Sequence, residues 1–345
     1  MNIDETYLMD SLKLLLAIPS PVGYTHQIEN FVSDELTNLG VKWERRRRGT
    51  LVATIHGDRR TPDRALTAHL DTIGAMVSHI LPNGRLQLTP LGSWSARFAE
   101  GGRVTIFGEG EPQRGSVLPL RSSGHTFGDL VDELPISWAN VECRVDAVCE
   151  NETQIRSLGI GVGSFLAFDP NPEFLPSGHI VSRHLDNKAG VACLLAAIKA
   201  VKNQVETLPI ECHPIFSLSE ETGCGAGHAP DSDVGELISI DIGPVADGQN
   251  SSEHTVNIGI KDSSGVYDTQ LLRQLVSLCD QENLEHRLDI YPYYRSDTNS
   301  AIVAGRDLRH GLIAFGTEST HGYERTHSDS LMAVSKLLAT YMLSK

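Results

Sequence analysis

The chain has 345 residues, enough for one large domain or two ordinary ones, and 44 acidic against 29 basic side chains give it a net charge of −15. This acidic balance argues against nucleic acids and anionic membranes as partners. The N-terminus lacks the features of a secretory leader, no apolar stretch approaches the roughly 18 residues of a membrane helix, and the six cysteines form no C-x-x-C pair. We therefore expect a cytoplasmic protein with free thiols and no membrane or nucleic-acid partner.

Helix and strand patterns open the chain, and they return in its second half. Apolar side chains recur at helical spacing at about 7–18 and 26–39, and strand patterns follow at 50–55 and 65–68. Between about 75 and 178, short β-type runs alternate with turn residues. Further helices are predicted at 186–202, 267–284 and 328–343, and further strands at 209–218, 236–242, 255–260, 287–291 and 311–315. These patterns predict an α/β domain in two parts, 1–74 and 179–345, interrupted by a small all-β domain at 75–178.

Two adjacent carboxylates, Glu220 and Glu221, follow a strand-like apolar run and precede a glycine-rich turn. Neighbouring side chains on an extended strand point to opposite sides, but at the end of a strand the chain turns and both can reach one site. One carboxylate can then bind a metal ion while the other takes a proton from water. A solvated acidic turn is the alternative for an isolated pair.

Four other segments place possible metal ligands around this pair. His69 and Asp71 end a predicted strand and share a face, so that Asp71 can accept the second N–H of the imidazole. Asp186 lies at the start of a predicted helix, where it is either a simple N-cap or a carboxylate that bridges two metal ions. Asp241 lies among apolar strand residues, where a carboxylate is costly unless paired or metal-bound. His327 precedes the last predicted helix, and the alternative to a metal ligand there is an ordinary histidine beside the helix cap. Two imidazoles and three carboxylates suit a pair of divalent ions.

The order of these motifs resembles the M42 family of dinuclear metalloaminopeptidases, and the resemblance covers most of the chain. It includes the segments around His69, Asp186, Glu221 and Asp241, and further similar segments at 68–77, 92–94 and 296–301. The resemblance implies a zinc-peptidase-like mixed sheet sandwiched by helices, with the β-rich insert guiding assembly into dimers or dodecamers.

Residue roles follow from the resemblance, position by position. It implies that Asp186 bridges two ions, that His69 and Glu221 complete one site, and that Asp241 and His327 complete the other. It also implies that Glu220 is the general base and that a cis peptide bond follows Asp186. His321 lies only six residues before His327 and is the alternative last ligand; His327 is preferred because His-Ser opening a helix fits the family pattern.

The resemblance therefore implies an aminopeptidase that removes N-terminal residues from short peptides, using a metal-bridging water and a glutamate base. Two divalent ions are expected, zinc first, with cobalt or manganese as alternatives. An M20-type deacylase or dipeptidase is the nearest rival, but its insert is an α/β module. An inactive metal-bound scaffold is a rival of another class, and it would have no need for Glu220 beside Glu221. The preferred N-terminal residue and the number of subunits stay open.

Overall fold

The computed structural model describes all 345 residues, and its centre is a mixed sheet of eight strands. In spatial order these strands are β1 (Lys42–Arg45), β2 (Leu51–Thr54), β12 (Leu208–Ser217), β3 (Gly57–His69), β13 (Val234–Pro244), β16 (Arg309–Thr317), β14 (Val256–Lys261) and β15 (His286–Ile290). The four central strands β12, β3, β13 and β16 are parallel. Their carboxyl ends therefore meet at one edge of the sheet.

Helices cover both faces of this sheet. They are α1 (Glu5–Ala17), α2 (His26–Asn38), α5 (Leu185–Gln204), α6 (Thr269–Gln281), α7 (Asp297–Val303) and α8 (Ser328–Leu343). In β13, Ile238 and Ile240 pack into the larger core with α5, whereas Leu237 packs into a smaller core with Ala301 of α7. Successive side chains of a strand point to opposite faces, so this alternation assigns α5 and α7 to opposite sides of the sheet.

A closed antiparallel barrel is inserted between β3 and α5. Its strands, in order around the barrel, are β4 (Gly74–Ile80), β5 (Leu86–Leu91), β8 (Val141–Val145), β7 (Gln113–Pro119), β6 (Arg103–Phe107) and β9 (Phe165–Phe168). A core of 16 buried apolar residues fills it, separate from the cores of the large sheet. The insert thus has its own hydrophobic centre, as an independently packed unit requires.

A third, three-stranded antiparallel sheet lies beside the start of α5. Its strands are β10 (Glu173–Phe174), β11 (His179–Ser182) and β17 (Glu324–His327). In the β11–β17 pair, His179 is opposite His327 and Ser182 is opposite Glu324. Because β17 runs directly into α8, one end of this pair lies near the start of α5 and the other near the start of α8.

The predicted fold class is confirmed: a mixed sheet sandwiched by helices carries a small β-barrel insert. The insert also holds two short helices that the sequence patterns missed, α3 (Gly124–Phe127) and α4 (Glu152–Ser157). The predicted limits of the insert, 75–178, stay a prediction. No helix is both long and apolar enough to cross a bilayer.

Candidate metal centre

Most of the candidate residues meet at the carboxyl edge of the parallel strands. His69 is the last residue of β3 and pairs in register with Ser217, the last residue of β12, three residues before Glu220. Asp241 lies near the carboxyl end of β13, on the other side of β3. This edge is where open α/β sheets place their ligands, because the loops that follow the strands converge there.

His69 is buried, and each of its ring nitrogens has a defined neighbour. Nδ1 lies 2.9 Å from the backbone oxygen of Asp71, which can only accept, so this nitrogen carries the proton. Nε2 lies 3.2 Å from Asp186 Oδ1. The sequence predicted the side chain of Asp71 as the acceptor, but its carboxylate is 3.9 Å from Nδ1. The backbone carbonyl of Asp71 therefore sets the tautomer of His69, and the prediction is corrected in that respect.

The carboxylate of Asp71 holds the Glu220–Glu221 pair instead. Its two oxygens accept the backbone N–H groups of Glu220 and Glu221 at 3.2 and 3.3 Å. Asp71 is fully buried. Burial raises the pKa of its carboxyl group to about 6, against the opposing effect of His69. Asp71 thus lies behind the site and orients the turn that carries the two glutamates.

A tight turn brings both glutamates into one cleft. Ser219 has a left-handed backbone conformation with φ of 64°, and its carbonyl accepts the N–H of Cys224 at 2.9 Å. Glu220 Oε2 then lies 3.9 Å from His69 Nε2, while Glu221 Oε2 lies 3.3 Å from His321 Nε2. The turn predicted at the end of β12 is present, and the two side chains meet different imidazoles.

Asp186, at the start of α5, lies between two imidazoles. Its Oδ1 is 3.2 Å from His69 Nε2, and its Oδ2 is 3.5 Å from His321 Nε2. Burial would raise the pKa of this carboxyl group, but the hydrogen bonds of His321 and His69 outweigh burial and hold the pKa below its usual value. The peptide bond between Asp186 and Asn187 is cis, as the resemblance implied. One carboxylate oxygen faces each side of the cleft, which is the arrangement a bridging ligand needs.

Asp241 is buried in β13, and the backbone N–H of Ile242 donates to its Oδ1 at 2.8 Å. Burial and the negative charge of Asp186 raise the pKa of Asp241 to about 8, against the opposing effect of His69. Among charged groups, Asp186 and His69 therefore have the largest effects on the pKa of Asp241. Asp241 lies two residues beyond Ser239, which pairs with Thr67 of β3, and His69 likewise lies two residues beyond Thr67.

The last imidazole of the site is His321 and not His327. His321 donates through Nδ1 to the backbone oxygen of Ser93 at 3.2 Å, which turns Nε2 toward Asp186 and Glu221. His327 lies at the other end of β17, where its Nε2 donates to the backbone oxygen of Ser177 at 2.8 Å. The preference for His327 as a residue of this site is therefore corrected. Its His-Ser pattern is that of a helix cap, because its side chain accepts the N–H of Asp329.

Two supporting residues were missed by the sequence analysis. Glu324 accepts the backbone N–H groups of Asp186 and His321 at 3.1 and 2.9 Å, and burial raises the pKa of its carboxyl group to about 8. Thr320 donates to Asp186 Oδ2 at 3.1 Å. The sequence carries no clear signal for Glu324, because its burial and its two partners exist only in the folded chain.

Asp297 supports the same edge from α7. Its Oδ2 accepts the hydroxyls of Thr67 and Ser217, and its Oδ1 accepts the N–H of Ala226 at 2.6 Å. A Cβ at Gly225 would lie 1.5 Å from Asp297 Oδ1. Only glycine fits at this position, which explains part of the glycine-rich turn after the glutamates.

The donor set fits divalent cations. Both imidazoles give their Nδ1 proton to a backbone carbonyl and turn Nε2 toward carboxylate oxygens, which is the tautomer that metal-binding histidines adopt. The ligand atoms of His69, Asp186 and Glu221 lie within 4.8 Å of one another. Glu221 Oε1 is buried and has no hydrogen-bond partner. Burial would lower the pKa of His321, but the carboxylates of Glu221 and Asp186 outweigh burial and raise the pKa to about 12. These carboxylates therefore favour a positive charge at this position.

A cleft of about 970 Å³ is lined by Asp186, Glu220, Glu221, Asp241 and His321. The walls of the cleft combine the carboxylates with aromatic and polar side chains from the loop after β15, including Tyr291, Tyr293 and Arg295. Gly92 and Ser93 of the inserted barrel domain form part of the rim. The cleft has the volume that a small ligand requires, and acidic and aromatic groups converge in it.

Comparison with known proteins places these features in a family. The model of the family described as M42 glutamyl aminopeptidase matches residues 49–337. The aminopeptidase homologue YhfE of Bacillus subtilis is 39% identical over 337 residues, which is 97% of each chain. The TET1 peptidase of Pyrococcus horikoshii shares the fold with a TM-score of 0.86 at 20% identity, over 98% of this chain and 100% of that one. An aminopeptidase from Desulfurococcus kamchatkensis has a TM-score of 0.86 at 20% identity, over 99% and 96% of the two chains.

Proposed function

This chain belongs to the M42 glutamyl aminopeptidase family, whose members are metal-dependent peptide hydrolases, and we propose that it removes N-terminal residues from short peptides with two divalent ions and a glutamate base. The observation that carries the proposal is the position of Asp186. One of its carboxylate oxygens faces Nε2 of His69 and the other faces Nε2 of His321. In each imidazole the other nitrogen, Nδ1, donates to a backbone carbonyl. A carboxylate shared in this way can bridge two cations.

We assign the remaining ligands by their distances and charges. His321 and Glu221 lie on the Oδ2 side of Asp186, with Glu221 Oε2 3.3 Å from His321 Nε2. His69 lies on the Oδ1 side, and we assign Asp241 to the same ion because the two residues stand at matching positions of the neighbouring parallel strands β3 and β13. We propose this pairing in place of the one that the resemblance implied, in which His69 and Glu221 completed one site. The ligand atom of Glu221 also lies within 4.8 Å of that of His69, but its shorter contact is with His321.

Two divalent ions held by these five residues would supply Lewis acidity toward the peptide carbonyl and would lower the pKa of an attacking water. The mixed N/O donor set suits zinc, with cobalt or manganese as alternatives. The free amino end of a peptide is cationic, so the carboxylates of the cleft favour its binding.

Glu220 is the proposed general base. It lies in the cleft, 3.9 Å from His69 Nε2. Burial raises the pKa of its carboxyl group well above the usual value, against the opposing effect of His69. Glu220 accepts a proton as a water oxygen attacks the peptide carbonyl carbon. It returns the proton to the leaving nitrogen as the C–N bond breaks, which releases the N-terminal residue and the shortened peptide.

The rival function of an M20-type deacylase is disfavoured by the insert. That rival requires an α/β insert, whereas the six strands between β3 and α5 close into a barrel. A metal-bound scaffold without activity is disfavoured by Glu220, because a protein that only binds metal has no need for a second carboxylate beside the proposed ligands.

We propose a homo-oligomer assembled through the insert, as a dimer or a dodecamer. The TET1 peptidase of Pyrococcus horikoshii is described as assembling into a tetrahedron or a large octahedral shell. In this chain, the connection between β7 and β8 exposes Leu120, Phe127, Leu130 and Ile136 by 36–45% each. Exposed apolar groups clustered in one connection favour a protein contact. We also place the protein in the cytoplasm, where its six unpaired cysteines would persist as thiols.

The experiment that tests the function is hydrolysis of one dipeptide series, free and N-acetylated, by metal-stripped protein supplied with Zn²⁺, Co²⁺ or Mn²⁺. Cleavage of the free amines alone is the expected result, and the ranking of rates then describes the preferred N-terminal residue. Cleavage of the acetylated forms alone would move the protein to the deacylases. Binding of two metal ions without any cleavage would support the scaffold.

A further inference from the structure

A second group of imidazoles and carboxylates lies at the far end of β17, apart from the cleft. It contains His179 of β11, Glu253 and His254 of the loop before β14, and His327 and Asp329 at the start of α8. The rings of His254 and His327 are 4.4 Å apart, and those of His179 and His327 are 4.8 Å apart. The three imidazole rings therefore lie within 6.0 Å of one another.

Within this group, three atoms converge on one point. Asp329 Oδ2 lies 3.2 Å from His327 Nδ1 and 3.4 Å from His254 Nδ1, and all three atoms lie within 4.8 Å of one another. A tetrahedral ion with bonds of about 2.1 Å to nitrogen and oxygen separates its ligands by roughly 3.4 Å. The observed separations from Asp329 Oδ2 therefore match the edges of such a tetrahedron.

The hydrogen bonds of His327 determine which of its ring nitrogens carries the lone pair. Its Nε2 donates to the backbone oxygen of Ser177 at 2.8 Å, so the proton of the neutral ring is on Nε2 and the lone pair is on Nδ1. This is the arrangement that fixes the tautomer of metal-bound histidines. The lone pair now accepts the N–H of Asp329 at 3.1 Å, a helix-cap bond that a bound ion would replace.

The other carboxylate of the group is already engaged. Glu253 accepts from Nε and Nη2 of Arg325 at 3.2 Å and lies 3.2 Å from His179 Nε2. Its pKa is lowered by these partners, which outweigh burial. Asp329, in contrast, has no arginine or lysine partner. Asp329 is 62% exposed and His254 is 49% exposed, so the point where the three atoms converge is open to solvent.

We propose that His254, His327 and Asp329 form a further binding site for a single divalent transition-metal ion, such as Zn²⁺, Co²⁺ or Ni²⁺, separate from the two ions of the cleft. Two imidazoles and one carboxylate suit these cations, and a water molecule completes the fourth position. The ion would join the loop before β14 to the start of α8 and the end of β17. The opposite end of β17 carries Glu324, which holds Asp186 and His321. The site would therefore anchor the strand that supports the cleft.

The test is the number of Zn²⁺ ions bound by the full chain after metal removal, measured by equilibrium dialysis. His254→Ala, Asp329→Asn and His327→Asn are the variants, and asparagine at 327 preserves a helix cap. His125→Ala, an exposed histidine outside every such group, is the matched control. We expect each of the three variants to bind one equivalent less than the unaltered protein and the control to bind the same number. Equal stoichiometry in all five proteins would overturn the proposal.

A second measurement separates this site from the cleft. Asp186→Asn weakens the proposed cleft site, and in that background we expect the equivalent assigned to His254 to remain and to vanish on adding His254→Ala. If the cleft binds no metal at all, this difference of one equivalent is still expected. Co²⁺ provides an independent readout, because the unaltered chain should show a visible absorption band that Asp329→Asn lacks. Spectra that are identical in the two proteins would also overturn the proposal.

Discussion

Two histidines six residues apart, His321 and His327, lie on either side of Glu324 in environments that differ sharply. His321 faces buried carboxylates on two sides, with its other nitrogen fixed by Ser93 and its backbone N–H held by Glu324. His327 shares one exposed carboxylate, Asp329, and accepts the N–H that begins α8. A histidine therefore becomes a ligand of the site through the groups that hold it in place. A local pattern such as His-Ser before a helix does not provide that information.

The largest expected effect is at the base. Glu220→Gln removes the group that accepts the proton and keeps the shape of the side chain, so turnover should fall by about 10²- to 10⁴-fold. The proposed ligands are unchanged, so two metal ions should still bind in the cleft. Turnover of a free dipeptide and the metal content of the same sample are the two measurements.

Glu206→Gln, at an exposed position between α5 and β12, is the matched control and should be as active as the unaltered protein. If Glu220→Gln kept a near-normal rate, Glu220 could not be the base. If it lost the metal ions as well, Glu220 would belong with the ligands.

The next effect distinguishes the two histidines directly. His321→Ala should lower turnover by more than about 100-fold, because the metal ligand itself is lost and not only its support. His327→Asn should keep most of the turnover, because His327 lies outside the cleft. The same dipeptide assay and a titration of activity with added metal compare the two variants. The reverse ranking would return the last ligand to His327.

A smaller effect is expected at the residues that orient the ligands. Asp71→Asn replaces a carboxylate that accepts two backbone N–H groups with an amide that can accept through one atom only. The glutamate turn should loosen, and metal affinity or turnover should fall by about 10- to 100-fold. Turnover measured as a function of metal concentration shows whether affinity or rate has changed. An unchanged profile would mean that the turn holds its shape without Asp71.

The smallest effect concerns the capping role of His327. His327→Ala removes the acceptor of the Asp329 N–H, and the free energy of unfolding should fall by about 1 kcal/mol relative to His327→Asn, which retains a cap. Chemical denaturation of both variants in the absence of metal measures this difference. Equal free energies of unfolding would show that the hydrogen bond between His327 and the N–H of Asp329 does not stabilise the start of α8.

The strongest predictions from sequence were those that depended on local pattern. Helices follow the 3.6-residue periodicity, as in α1, where Leu8, Leu12, Leu15 and Leu16 are all buried. The central strands β12, β13 and β16 are buried along nearly their whole length, so each is an apolar run in the sequence. The carboxyl ends of β3, β12 and β13 were identifiable because each carries polar groups directly after, or within, an apolar run. The short strands β10, β11 and β17 were missed, since two to four residues are too few to show a period.

The site itself was only partly predictable. The positions of His69, Glu220 and Glu221 at strand ends could be inferred, because each lies at or just after the end of an apolar, strand-like run. The acceptor for His69 could not, because the choice between the backbone and the carboxylate of Asp71 depends on the path of the chain beyond the strand. Glu324 was missed for a similar reason: its partners, Asp186 and His321, are brought together by the three-stranded sheet.

The sequence by itself determined the strands of the large sheet except β1, the β-rich insert and the chemical types that gather at the carboxyl edge, because these follow from apolar patterning and from the cost of burying charge. Only the tertiary structure decided between His321 and His327. That choice depends on which imidazole the packing of β17 against β11 carries to Asp186 and which it leaves at the surface beside Asp329. Distances between residues more than a hundred positions apart are a property of the packed chain, and no local spacing contains them.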